Sequence, residues 1–296
     1  PRDIFISGHN SSPLSVDLSR LIKDEKDIFQ TGLNVLKKLT EGNVYLTLGS
    51  SMEFDNVITQ TISGPHPSGN VGIQIHHTKP LRPGDVIWSV NAQHVITLGK
   101  LFQTGSYDPT VIVSIGGSGA TSPATVKTIT GVNIGLLVEE QNLKEPIRLI
   151  SGDVLTGKTV ENADFLGFYD SSVSIINDDV KRPFLGMLSP GSSRTKYSLT
   201  NAFLSFGNKA FNFTSSQNGE LRAMVPLNAW EDVLPMDIYP NPLYRAILAQ
   251  DIEEMEKLGI WECDDEDFAL CSFACPSKID VGGVVRDGLD LMEKEG

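Results

Sequence analysis

The chain has 296 residues, of which 40% are hydrophobic, and it carries 24 basic and 37 acidic side chains for a formal net charge of −13. A chain of this length forms about two domains on average, and its apolar fraction excludes a disordered tail. Because an acidic surface repels phosphate groups, nucleic acid and anionic lipid are disfavoured as partners.

The first part of the chain alternates strand and helix patterns. Short apolar runs predict strands at residues 4–7, 44–48, 56–63, 73–76, 86–90 and 111–115. Helical spacing predicts one helix that Asp17 caps and Gly42 ends, and a second helix around residues 95–102. Strands that alternate with helices favour a mainly parallel sheet, so we predict an α/β domain over residues 1–124 with ligand loops at the strand ends.

The pattern changes after residue 124. A strand at 126–130, a short helix at 134–138 and a strand at 147–150 suit a ubiquitin-like β-grasp domain over residues 125–159. Residues 160–234 form a predicted β-rich, irregular segment, with apolar runs at 168–169, 173–176 and 211–213 between turn residues.

The last part of the chain, residues 235–296, is predicted to be helical. Asn241 followed by Pro242 indicates a helix cap and a first-turn proline, and a helix over 247–257 continues or restarts from there until Gly259 ends it. Further helices are predicted near 265–274 and over 281–293.

Two loops have some of the residues of a chemical site. Gly116 to Gly119 follow an apolar strand, but Ser122 and Pro123 come next where a phosphate-binding fingerprint needs a helix, which favours a simple turn. The loop over residues 62–77 places His66, His76 and His77 close in sequence, without a carboxylate or thiolate in register. Solvated or hydrogen-bonded histidines are therefore favoured over a zinc site there.

The only cysteines are Cys263, Cys271 and Cys275. An iron–sulfur cluster needs four thiolates, so a complete cluster cannot form within this chain. Two interpretations stay open: a ferredoxin-type motif that has lost ligands, or core cysteines, since Cys271 and Cys275 share one face of a helix. A small and odd number of cysteines predicts a reducing compartment. No apolar run is long enough for a membrane span or a signal peptide.

Five blocks carry a resemblance that runs in order along the chain: ISGHNSSPL (6–14), SGPHPSG (63–69), RLISGDVLTG (148–157), RAMVP (222–226) and LCSFACPSK (270–278). Together they resemble the NqrA family, a peripheral component of the sodium-translocating NADH:quinone oxidoreductases. This family is similar to the soluble RnfC component of the Rnf complex and to the NADH-binding flavoprotein of complex I. The resemblance implies that a further N-terminal segment precedes Pro1.

The resemblance also implies a fold and a cofactor distribution. It implies a Rossmann-like α/β domain, a β-grasp domain of the SLBB type, and a helical domain resembling a degenerate iron–sulfur domain. It implies that this chain binds no cofactor or metal, that ubiquinone is the substrate, and that FMN, FAD, riboflavin and iron–sulfur centres lie in other subunits.

The implied function is that of a peripheral subunit on the cytoplasmic face of the bacterial inner membrane, docked on NqrB to NqrF and above all on the integral membrane protein NqrB. The resemblance implies that this peripheral subunit contributes to quinone binding and reduction coupled to sodium export, and that it is not catalytic alone. A quinone needs an apolar slot with donors for its carbonyl oxygens. On the loops over residues 7–14 and 64–77 the predicted quinone-binding residues are His9, Asn10, Pro13, His66, Gly69 and His76. The alternative is a scaffold protein that binds no substrate.

Overall fold

The computed structural model describes residues 1–143, 146–178, 222–225 and 227–296, together with single positions 185, 211, 213, 217 and 220. Much of the segment predicted to be β-rich, residues 160–234, therefore lies outside the described residues, as does residue 212 of the apolar run predicted at 211–213. The remaining predicted elements fall within them.

The first unit contains four strands and four helices. They are β1 (Ile4–Gly8), α1 (Leu18–Asp24), α2 (Lys26–Lys37), β2 (Val44–Leu48), β3 (Ile58–Thr61), α3 (Val71–Thr78), β4 (Trp88–Asn91) and α4 (Ala92–Thr104). The strands form one sheet in the order β3-β2-β1-β4, and every pair in it is parallel. The predicted parallel α/β arrangement is confirmed.

The helices cover both faces of this sheet because successive strand residues point to opposite sides. Ile4 and Ile6 of β1 are buried with residues of α1, α2 and α4, whereas Phe5 packs with Tyr45 of β2 and Ile75 of α3. The Phe5 and Tyr45 rings stack with their centroids 4.8 Å apart. Since all strands run the same way, the loops that follow β1, β2 and β3 lie at one edge of the sheet.

Two predictions for this unit are wrong in detail. Residues 73–76, predicted as a strand, lie in helix α3, because a short apolar alternation is ambiguous and only the packing of Ile75 against Phe5 and Tyr45 decides it. The single helix predicted after Asp17 divides at Glu25 into α1 and α2. The cap itself is confirmed, since Asp17 Oδ1 accepts the Arg20 N–H at 3.2 Å.

The second unit contains five strands in a mixed sheet. Its elements are β5 (Thr110–Gly116), β6 (Ala124–Ile129), α5 (Ile134–Val138), a 3-10 turn (Glu139–Gln141), β7 (Ile147–Ser151), β8 (Lys158–Val160) and β9 (Ser172–Asn177). The order is β6-β5-β9-β7-β8, with β5 and β9 parallel and the other pairs antiparallel. Sequence reasoning missed β8. The division of the chain at residues 124, 159 and 234 remains a prediction.

The third unit is helical. It contains α6 (Pro240–Ala249), α7 (Ile252–Lys257), α8 (Ala269–Ala274), α9 (Val281–Glu295) and 3-10 turns at Ile260–Glu262 and Asp265–Phe268. The cap of α6 is Tyr239, with proline in the first turn, so the predicted Asn241 cap is wrong. A new helix, α7, begins after Gln250 adopts the left-handed conformation. None of the helices in the described ranges is long and apolar enough to cross a membrane.

Candidate functional site

The candidate site lies where two loops meet at the carboxyl edge of the parallel sheet. We call residues 9–15, which follow β1, the β1 loop, and residues 62–70, which lead into α3, the α3 loop. The Gly69 N–H donates to Ser11 Oγ at 2.7 Å, and the Gly69 carbonyl oxygen lies 3.4 Å from Ser7 Oγ. A Cβ atom on Gly69 would lie only 2.2 Å from the Ser11 nitrogen, so the close approach of the loops requires glycine.

His9 occupies the β1 loop beside the end of β2. Its ring lies against Gly49, where an added Cβ would be 2.6 Å from His9 Nδ1, and its carbonyl oxygen accepts the Ser7 hydroxyl at 3.1 Å. The Nε2 atom of His9 is buried and has no hydrogen-bond partner among the described residues. Backbone contacts thus hold the residue while its imidazole edge keeps hydrogen-bonding capacity.

His66 lies on the other of the two loops, the α3 loop. Its Nδ1 atom lies 3.2 Å from Ser11 Oγ, and its Nε2 atom is buried without a partner in the described part of the chain. Burial lowers the pKa of His66, and the Asp153 carboxylate opposes this shift. The ring is therefore neutral near pH 7. The following peptide bond, to Pro67, is cis.

Asn10 and Pro13 both belong to the β1 loop. Asn10 Oδ1 accepts the Ser12 N–H at 2.8 Å, which closes an Asx turn. Pro13 is exposed in the turn that follows. The loop then reaches the second unit, because Ser114 Oγ donates to the Leu14 carbonyl oxygen at 2.5 Å. The structure thus places His66 and Gly69 beside Ser11. His9 lies beside the end of β2, and Pro13 is exposed.

His76 belongs to a different contact. Its Nε2 atom accepts the Asp237 N–H at 3.0 Å, so the proton resides on Nδ1, which donates to Glu262 Oε2 at 2.8 Å. His77 uses Nε2 to donate to the Pro235 carbonyl oxygen at 2.8 Å. Both side chains attach α3 to the helical unit. The imidazole of His76, predicted as a ligand donor, has both nitrogens engaged by protein groups.

Comparison with known proteins identifies the family. The family model described as "NqrA second alpha/beta domain" matches residues 1–107, and the model described as "NQRA C-terminal domain" matches residues 112–162. The NqrA protein of the Na(+)-translocating NADH-quinone reductase of Hahella chejuensis is 40% identical over 304 residues, covering 100% of this chain and 68% of the relative. The chain belongs to the NqrA family. The family predicted from the sequence is confirmed.

Other relatives carry the same name. The corresponding reductase protein of Pasteurella multocida is 39% identical over 303 residues, covering 100% of this chain and 68% of its own length. Among solved structures, an NAD+-reducing [NiFe]-hydrogenase in the air-oxidized state shows 10% identity and a TM-score of 0.46, covering 99% of this chain and 56% of the hydrogenase chain.

In this member of the NqrA family the three cysteines lie in the core of the helical unit. All are free and buried. Burial, with the Glu231 charge second, raises the pKa of the Cys271 thiol to about 12, and burial followed by the Asp267 charge raises the pKa of Cys263. Buried thiols with raised pKa values are unreactive. In the described ranges, no group of three or more His, Cys, Asp or Glu side chains is placed to hold a metal ion.

The start of α3 receives a contact that the sequence did not predict. Asp267 is 1% exposed, and neither carboxyl oxygen has a hydrogen bond to a described residue. A Cβ on Gly72 would lie 1.9 Å from its Oδ2 atom. Asn70 Nδ2 donates to the Glu266 carbonyl oxygen at 3.1 Å across 196 positions of sequence. Neither this contact nor the pairing of Ser11 with His66 has a signal in local spacing, so sequence reasoning missed both.

Proposed function

We propose that this chain is a peripheral subunit of a Na+-translocating NADH:ubiquinone reductase, and that the β1 loop and the α3 loop contribute to quinone binding. Family membership supports the place in the complex. The observation that supports the quinone role is the pair of buried imidazole edges, His9 Nε2 and His66 Nε2, that have no partner among the described residues. Quinone carbonyl oxygens accept hydrogen bonds from groups of this kind.

The position of the loops supports the same proposal. In open parallel sheets, ligands bind outside the carboxyl ends of the strands, and the β1 loop and α3 loop meet at that edge of the first sheet. Of the predicted donors, His9 and His66 retain a free ring nitrogen. We therefore assign the quinone contact to these two, with Gly69 as the backbone that lets the loops approach.

The proposed fold relationship is that of a flavoprotein scaffold. The parallel first unit corresponds to a Rossmann-like domain, the mixed second unit to a β-grasp domain of the SLBB type, and the helical unit to a degenerate iron–sulfur domain. Cysteines buried in the core of that unit are compatible with this correspondence. Under the same proposal FMN, FAD, riboflavin and iron–sulfur centres lie in other subunits.

The proposed location is the cytoplasmic face of the bacterial inner membrane, with the chain docked on the integral membrane protein NqrB and on the other components up to NqrF. Sparse free cysteines support a reducing compartment.

A scaffold role is the second candidate function. The observation that favours it is a set of exposed aromatic side chains on one loop: Phe165 is 66% exposed, Phe168 57% and Tyr169 80%. Exposed aromatic groups that lie together are typical of protein contact surfaces. Under this alternative the chain stabilises the assembly without touching quinone.

Kinetics of the intact complex distinguish the two functions. We expect His9→Ala and His66→Ala each to raise the quinone KM by about 5- to 10-fold, the effect of one lost hydrogen bond, while the NADH KM stays unchanged. His77→Ala is the matched control, because its ring bonds to the Pro235 carbonyl oxygen away from the two loops. Unchanged quinone KM and inhibitor sensitivity in both variants favour the scaffold role.

A further inference from the structure

We infer that Ser11 is a positioning residue that fixes the tautomer of His66, so that His66 Nε2 carries the ring proton and donates to an acceptor oxygen of the ligand. Ser11 does not itself touch the ligand in this assignment. The identity of that ligand as a quinone rests on the proposed function, whereas the tautomer does not.

The assignment follows from the hydrogen bonds around Ser11 Oγ. The Gly69 N–H donates to this oxygen at 2.7 Å and so uses one of its two lone pairs. The hydroxyl hydrogen then needs an acceptor, and among the described groups the one within hydrogen-bond distance is His66 Nδ1, at 3.2 Å. If Nδ1 instead carried the proton, Ser11 Oγ would accept two hydrogen bonds and its own hydrogen would have no partner.

The neutral state of His66 agrees with this arrangement. A ring whose Nδ1 accepts the Ser11 hydroxyl and whose charge is suppressed by burial has its single proton on Nε2. The Asp153 carboxylate is the one described charge that opposes this suppression. No carboxylate bonds to either ring nitrogen in the described part of the chain, in contrast to His76, which donates to Glu262.

The tautomer defines the chemistry of the ligand atom. A buried N–H without a partner is costly, so the site gains most from a group that accepts a hydrogen bond. A carbonyl oxygen, as in an oxidised quinone, meets this requirement. A protonated Nε2 has no lone pair for a cation, so the same geometry excludes a metal ion bound through this atom. The site is thus selective for an acceptor.

Nitrogen chemical shifts of the 15N-labelled 296-residue chain test the tautomer directly, since protonated and unprotonated imidazole nitrogens resonate far apart. His66 signals are assigned by their loss in His66→Gln. We expect the wild-type chain at pH 8 to show His66 protonated on Nε2, and Ser11→Ala to show a mixture of tautomers. Ser11→Thr keeps the hydroxyl and is expected to restore the wild-type signals.

His76 provides an internal reference, because its Nε2 accepts the Asp237 N–H and its proton resides on Nδ1. Unchanged His76 signals in Ser11→Ala show that the fold is intact. A wild-type His66 protonated on Nδ1 overturns the inference even if no variant folds. A Ser11→Ala spectrum identical to wild type overturns it equally.

Quinone kinetics separate this inference from the proposed function. In the intact complex we expect Ser11→Ala to raise the quinone KM about 3-fold or more without changing the NADH KM, and Ser11→Thr to reverse the effect. If the His66 tautomer changes in Ser11→Ala while the quinone KM does not, the tautomer assignment stands and the quinone role fails. If neither changes, the positioning role of Ser11 fails.

Discussion

Asp267 carries a buried carboxyl group in a position where ionisation is costly. Burial raises its pKa from 3.8 to about 7, with Glu266 and Asp265 adding repulsion. The Asn70 side-chain amide, which donates to the Glu266 carbonyl oxygen, favours the ionised form of Asp267 and so lowers its pKa in part. The unfolded chain therefore releases this proton near pH 4, whereas the folded chain keeps it until about pH 7, so Asp267 lowers the stability progressively between these two pH values.

Replacing the carboxyl group with an amide removes this pH dependence. We expect the free energy of unfolding of wild type to fall relative to that of Asp267→Asn between pH 5 and pH 8. This relative change is at most about 2 to 3 kcal/mol. Urea unfolding at the two pH values measures the difference. Asp287→Asn, which alters an exposed carboxylate on α9, is the control. The same stability difference for Asp267→Asn at both pH values would contradict a raised pKa.

Helices α2 and α4 touch through their backbones. A Cβ on Gly32 would lie 2.2 Å from the Val95 carbonyl oxygen, and one on Gly99 would lie 2.0 Å from the Ile28 carbonyl oxygen. Side chains at either position would force the helices apart. The two glycines therefore permit the packing that buries Phe29 and Leu33 against Val95.

Alanine at either glycine tests this contact. Alanine favours an isolated helix over glycine by about 1 kcal/mol, yet we expect Gly32→Ala and Gly99→Ala each to lower the free energy of unfolding by about 1 to 3 kcal/mol through overpacking. Phe102→Ala on α4, at a side chain that is 63% exposed, serves as a control and is expected to change stability by about 0.5 kcal/mol or less. A stabilised Gly99→Ala chain would show that the helices have room to adjust.

The first unit and the helical unit are joined through α3. His76 of α3 bonds both to Glu262 and to the Asp237 backbone, and Ile73 of the same helix is buried in the core of the helical unit. The α3 loop that carries His66 precedes this helix directly. The helical unit thus holds one side of the candidate site in place without contributing a ligand group to it.

A double-mutant cycle measures the strength of the hydrogen bond between His76 and Glu262. We expect His76→Ala and Glu262→Ala each to destabilise the chain, with a coupling of about 1 to 2 kcal/mol, because the hydrogen bond to a carboxylate is partly buried. Hydrogen exchange of residues 260–275 is expected to accelerate in both single variants. Purely additive effects of the two substitutions would mean that the bond contributes nothing to holding the units together.

Local patterns were sufficient for much of the fold. Strands β1 and β2, the Asp17 cap, helix α4 and helix α9 follow from periodicity, capping residues and breakers, which act over a few residues. Family membership was also readable from the five ordered blocks. The strand predicted at 73–76 is wrong because four residues are compatible with a strand or a helix. The choice between them depends on packing against β1 and β2.

The contacts that make the site belong to the tertiary structure. Ser11 and His66 are 55 positions apart, and Asn70 and Glu266 are 196 apart, so no local pattern relates them. Their approach depends on strand order, on the shared direction of β1 and β3, and on the docking of the helical unit. The amino-acid sequence alone indicated histidines on glycine-rich loops. Only the folded chain engages both nitrogens of His76 and leaves Nε2 of His9 and of His66 without a described partner, because hydrogen bonding depends on which distant groups the fold brings within reach.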